Sequence, residues 1–94
     1  MSWEIVNGAR DKGSIKLYGL STCIWCKKAK SLLDEADVKY QYIYADLLDE
    51  KSHMDLIFEM SEYVENISFP TIVVDEDVVI AGYDEEEIKE IIGG

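Results

Sequence analysis

Apolar positions along this chain keep two rhythms, one of period two and one of helical spacing, and the two take turns. Ile15-Lys16-Leu17-Tyr18 alternates and predicts a strand with Ile15 and Leu17 on one face. After a loop from Gly19 to Thr22, a helix is expected from Cys23 to about Ala36. Its Ala29, Leu32, Leu33 and Ala36 fall at i, i+3, i+4 and i+7, one buried stripe. Tyr40 to Ala45 is rich in aromatic and branched side chains, which favour a strand. Asp46 or Asp49 can then cap a second helix, along which His53, Leu56, Ile57, Met60 and Val64 again follow helical spacing. Two short apolar runs, Ile72-Val73-Val74 and Val78-Val79-Ile80, flank Asp75-Glu76-Asp77 and predict a hairpin. With no glycine in that turn, an aspartate is expected to adopt the left-handed conformation. Asp84 followed by Glu87 has capping-box spacing, and Ile88, Ile91 and Ile92 mark the inner side of a last helix that Gly93 and Gly94 end.

The order is β-α-β-α-β-β-α, an α/β domain with a right-handed first crossover and a mixed four-stranded sheet. Residues 14–94 carry all of these elements. Residues 1–13 form an N-terminal extension with Gly8 and Gly13 as breakers, where Trp3, Ile5 and Val6 are expected to tuck against the body. At 94 residues, 48% hydrophobic and 31% charged, the chain is one globular domain. A net charge of -11 repels phosphate backbones and anionic bilayers, so neither nucleic acid nor membrane is an expected partner. No run reaches the ~20 apolar residues of a membrane span. The first eight residues lack the basic and apolar regions of a signal peptide. Two closely spaced cysteines are not the framework of a secreted disulfide scaffold. The expected location is therefore cytoplasmic.

Both cysteines fall in Cys23-Ile24-Trp25-Cys26, after a strand and opening a helix. Two residues of separation on one helical turn bring alpha carbons within reach of a disulfide, ~4.4–6.8 Å. A helix start carries about half a positive charge, and a thiol placed there ionises more readily. Cys23, on the loop side, is the expected attacking thiol, and Cys26, one turn in, the resolving one. A cysteine pair at this spacing beside a β-α-β pattern is a redox signature. Lys27, Lys28 and Lys30 follow, three of only nine basic residues. Lys27 and Lys28 are candidates to support a thiolate, whereas Lys30 is expected to face solvent. Ile24 and Trp25 either form an apolar docking surface or, for Trp25, pack inward. Pro70 is the single proline and His53 the single histidine, the latter expected to be structural.

With this motif and this element order, the chain resembles the glutaredoxins, within the thioredoxin fold. Tyr18-Gly19-Leu20-Ser21-Thr22-Cys23-Ile24-Trp25-Cys26, Ser68-Phe69-Pro70-Thr71 and Ala81-Gly82-Tyr83-Asp84 carry the likeness. The resemblance implies a strand order of 2-1-3-4, with three flanking helices and a cis bond before Pro70. It implies thiol–disulfide oxidoreductase activity, with protein or small-molecule disulfides as substrates. A substrate site is implied at Thr22, Ile24, Trp25, Lys27, Phe69, Pro70, Gly82 and Asp84, the backbone of Phe69 pairing with substrate. Glutathione or a protein reductase is the implied electron donor, with no resident cofactor and a monomeric state. Leu20 stands where many members have a lysine, and the turn has Gly82 alone where a glycine pair is common. The middle pair Ile24-Trp25 lacks proline, which leaves a second reading: an iron–sulfur cluster held through Cys23 between two protomers.

Overall fold

A computed structural model describes residues 2–93. Strands β1 (Glu4–Val6) and β2 (Ile15–Gly19) precede helix α1 (Ile24–Glu35), then come β3 (Tyr40–Tyr44), α2 (Glu50–Ser61), the strands β4 (Thr71–Val74) and β5 (Val78–Ala81), and α3 (Glu85–Gly93). A short 3-10 turn, Ala45–Leu47, leads from β3 towards α2. The sheet runs in the order β1-β3-β2-β4-β5. β2 and β3 are parallel, with Leu17 opposite Tyr42, and β4 lies antiparallel to β2, with Leu17 opposite Ile72. Both faces of the central strands are covered, because period two sends alternate side chains to opposite sides. Ile15, Leu17, Ile72 and Ile80 meet Ala29 and Leu33 of α1 and Ile88 and Ile92 of α3. Tyr18, Ile43 and Val73 point the other way and meet Leu56 and Met60 of α2.

The expected 2-1-3-4 order survives in β3-β2-β4-β5, but the sheet has five strands and not four. The additional strand comes from the N-terminal segment: β1 pairs antiparallel with β3, Ile5 opposite Gln41. Three residues are too few to display a period, so the pattern alone could not announce it. Gly8 permits the close approach that follows, since a Cβ there would lie 2.4 Å from the carbonyl carbon of Val38. Further on, Arg10 N–H donates to Asp37 O (2.9 Å) and Lys39 N–H to Arg10 O (2.8 Å). The Arg10 guanidinium then donates to the carbonyls of Ala36 (3.2 Å) and Ile92 (2.7 Å), which close α1 and α3. Neither helix has a basic residue in its last turn, so Arg10 supplies the cation that both negative helix ends favour. Trp3 packs edge-on against Tyr18, with ring centroids 5.0 Å apart, and Val6 is half-buried. Ile5 stays 63% exposed, contrary to expectation.

Loop chemistry explains the remaining joins. Asp49 caps α2, its carboxylate accepting from Ser52 N–H at 2.7 Å. In the β4–β5 turn both Asp75 (φ 53°) and Glu76 (φ 60°) are left-handed, one residue more than expected. The Asp75 carboxylate accepts from Ser14 N–H at 2.8 Å, fixing the entry to β2. No helix among the described residues is long and apolar enough to cross a membrane.

Candidate active site

The C-terminal end of β2 delivers the chain to the cysteine loop. Cys23 is the N-cap of α1, in extended backbone conformation, and its Sγ accepts the Cys26 N–H at 3.2 Å. A cap position ordinarily filled by a serine or aspartate oxygen is thus filled by sulfur. Such a sulfur sits against the positive end of a three-turn helix. No acidic residue enters the first turn of α1 to offset that field. Both thiols are reduced; Cys23 is half-buried and Cys26 only 1% exposed. Burial first, and the hydrogen bond with Cys23 second, push the Cys26 thiol up to about 12. The Leu20 N–H donates to Cys26 Sγ at 3.5 Å and opposes that trend. The packing beneath is tight, because a Cβ on Gly19 would lie 3.3 Å from Cys26 Cβ.

The loop ahead of Cys23 is held by a contact that the sequence does not announce. Asp46, in the turn after β3, accepts from Ser21 N–H at 2.8 Å and from the Ser21 hydroxyl. Those bonds hold its carboxyl below the usual carboxylate range, and its charge opposes ionisation of Cys26. Of the two candidate caps, Asp49 therefore serves α2 while Asp46 serves the cysteine loop. His53 Nδ1 lies 2.8 Å from the Ala45 carbonyl oxygen and ties α2 to the same turn.

Trp25 does not pack inward. It is 51% exposed, and Ile24 beside it is 63% exposed. The Trp25 ring lies 5.2 Å from the Tyr83 ring, with the Lys28 ammonium 4.6 Å from its centroid on the indole. A cation over an indole face is attracted by the ring quadrupole. Lys28 is thus engaged by Trp25, and Lys27 is exposed on the rim of a groove of about 510 Å³. Ile24, Trp25, Leu32 and Tyr83 also line this groove. Lys30 does not simply face solvent: it pairs with Asp34 at 3.1 Å and lies 4.8 Å from the Tyr42 ring centroid.

A second candidate segment lies in the loop before β4. The Phe69–Pro70 bond is cis. Pro70 is buried, and Phe69 is half-buried on the α2 side of the sheet. Pro70 O accepts from Gly82 N–H at 2.8 Å, joining this loop to the turn before α3. Gly82 needs its left-handed φ of 83°, and a Cβ there would meet nothing within 4 Å, so conformation and not space selects the glycine. Asp84 caps α3, accepting from Glu87 N–H at 3.1 Å, and remains exposed, as does Thr22. The fold, then, carries a cysteine pair at a helix mouth, a cis-proline loop, and a glycine turn bonded to that loop.

Comparison with known proteins decides what that combination is. Residues 15–79 match the glutaredoxin family profile. The chain belongs to the glutaredoxin family. The glutaredoxin of Methanosarcina mazei Go1 is 37% identical, with a TM-score of 0.87 over 100% of this chain and 90% of that one. Methanoredoxin of Methanosarcina acetivorans is 40% identical, with a TM-score of 0.88 over 94% of this chain and 92% of its own. A glutaredoxin-like 8.6 kDa protein in the rubredoxin operon of Clostridium pasteurianum is 29% identical over 79 residues, 83% of this chain and 96% of that protein. Within this glutaredoxin, Tyr83, Asp46 and Ser21 escape a reading of the sequence by motif. Each left a trace without its role: Tyr83 as an aromatic beside the glycine of the family turn, Ser21 within the cysteine motif, and Asp46 as a candidate helix cap.

Proposed function

We propose that this glutaredoxin is a dithiol–disulfide oxidoreductase acting on protein or small-molecule disulfides. The observation that carries the reading is the asymmetry of the pair: Cys23 reachable at the helix mouth, Cys26 buried one turn behind it with its sulfur held protonated. The Cys23 thiolate attacks one sulfur of the substrate disulfide. That S–S bond breaks, and the leaving sulfur departs with the electron pair and takes up a proton. Cys26 then loses its proton and attacks Cys23 Sγ. The second substrate thiol is released, and the Cys23–Cys26 disulfide remains. Two equivalents of thiol, from glutathione or from a protein reductase, return the two electrons. Such cycling suits a reducing compartment such as the cytoplasm.

In this reading the exposed Ile24 and Trp25 offer apolar area to a substrate, Thr22 and Lys27 border the cysteine motif, and Phe69, Pro70, Gly82 and Asp84 are assigned to receive the substrate chain. An iron–sulfur cluster within one chain does not fit this donor set. Clusters usually take four cysteine ligands, and the described residues hold no group of three or more His, Cys, Asp or Glu that could bind a metal. Of the two thiols, one is buried.

The test is reduction of a small disulfide and of a protein disulfide by the wild-type chain, Cys23→Ser and Cys26→Ser. Cys23→Ser is expected to lose both activities, and Cys26→Ser to stall as a mixed disulfide on protein substrates. Full activity in Cys23→Ser would overturn the mechanism. A visible charge-transfer spectrum from a dimer purified without oxygen would favour the shared-cluster reading instead.

A further inference from the structure

Helix α2 buries Leu56 and Met60 and turns another face outward that the fold does not use. On that face Met54 is 65% and Phe58 is 72% exposed, and Leu47, in the turn before the helix, is 69% exposed. Met54 and Phe58 stand four residues apart, so they are neighbours on one stripe. Neither belongs to a core cluster. A single exposed apolar side chain is ordinary, but an adjacent pair with a charged rim marks a contact surface. Here the rim is acidic. Glu50 and Asp55 of α2 and Glu62, its C-cap, are all exposed. A depression of about 530 Å³ beside Met54 is lined by Asp49, Glu50 and Asp55, with Lys51 as its one cation.

Charge selects the occupant. A second copy would bring another -11 against this chain, and an anionic bilayer would be repelled in the same way. A partner polypeptide with lysines or arginines flanking apolar side chains satisfies both the stripe and its rim. We propose that the outer face of α2 docks a basic amphipathic segment of a partner protein, its apolar side chains over Met54 and Phe58 and its cations against Glu50, Asp55 and Glu62. The acidic surface steers such a partner inward, so association slows as salt rises. This surface involves neither cysteine and stands apart from the redox reading.

The test is an amide-shift titration of the isotope-labelled full chain with a cysteine-free helical peptide of alternating lysine and leucine stripes. A control peptide keeps every lysine and replaces each leucine by serine. Shifts are expected to centre on Met54, Asp55, Phe58 and Glu62. Binding is expected to fall about tenfold or more for Phe58→Ser and for the control peptide, and to weaken with added salt. Asp55→Lys is expected to weaken it as well. Phe58→Ser, being exposed, is expected to keep wild-type activity on a small disulfide. Shifts centred on Ile24 and Trp25, equal binding of the two peptides, no binding at low salt, or self-association of the chain through α2 would each overturn the proposal.

Discussion

A thiol held near a pKa of about 12 should behave differently from a free cysteine, and the difference can be worked out. In Cys23→Ser only Cys26 remains. The hydrogen bond and charge of the Cys23 sulfur, two causes of the elevation, are gone, but burial, the largest, stays, so the wild-type value of about 12 is an upper limit for this variant. At about pH 8 an ordinary thiol near ~8.5 is roughly a quarter thiolate. A thiol near 12 is about one part in 10,000 ionised, a deficit of roughly 2,000-fold. A more basic thiolate is also a better nucleophile, with a Brønsted slope of ~0.4–0.5, which recovers roughly 25- to 60-fold. The net expectation is up to about fifty-fold slower reaction of folded Cys26 with an aromatic disulfide than of the same residue in urea, before any loss of access. The sign of the pH dependence follows: the folded rate keeps climbing about tenfold per pH unit above pH 8, whereas the unfolded rate levels off near ~8.5. Stopped-flow absorbance of the released thiol reads both. Folded and unfolded rates within about fivefold of each other, or a folded plateau below about pH 10, would refute burial as the control on Cys26.

Other outcomes follow from single contacts. Arg10→Ala removes guanidinium bonds to the ends of α1 and α3 and should cost about 2 kcal/mol in urea unfolding, with Arg10→Lys recovering part of it. Gly19→Ala places a methyl 3.3 Å from Cys26 Cβ, and should lower stability by about 1–2 kcal/mol and slow closure of the Cys23–Cys26 disulfide in a quench assay. The Asp46 carboxyl titrates below its ordinary value. Its hold on Ser21 should therefore be complete above about pH 4 and be lost as pH falls further, read as a Ser21 amide shift that Asp46→Asn abolishes. Trp25→Ala should reduce turnover of a protein disulfide about tenfold while leaving that of a small disulfide within about twofold; equal losses on both would deny Trp25 a docking role.

Where side chains repeat, the fold was legible. The stripe Ala29, Leu32, Leu33 and Ala36 marked the inner face of α1, and Cys23 and Ala36 are its two caps. Ile15 and Leu17 share one core, and Tyr18 turns to the other, as alternation demands. β1 was not legible, because pairing with β3 depends on residues far along the chain and not on any local period. The hairpin turn was half legible: the absence of glycine pointed to one left-handed residue, but Glu76 joins Asp75 there because the strand twist asks for both. At the site, cysteine spacing declared itself. The Ser21–Asp46 bond did not, since either of two aspartates could cap α2 and only the folded turn decides which one is free.

The pairing of β1 with β3 also bears on solubility. Tyr40-Gln41-Tyr42-Ile43-Tyr44 is uncharged, aromatic, and free of proline and glycine, the make-up of a segment prone to fibrillar stacking. As a bare border it would recruit further chains edge to edge. The strand that shields it is three residues long and carries Glu4, a short charged border that offers little to copy. Clipping between Val6 and Arg10 is expected to expose that segment and to promote aggregation.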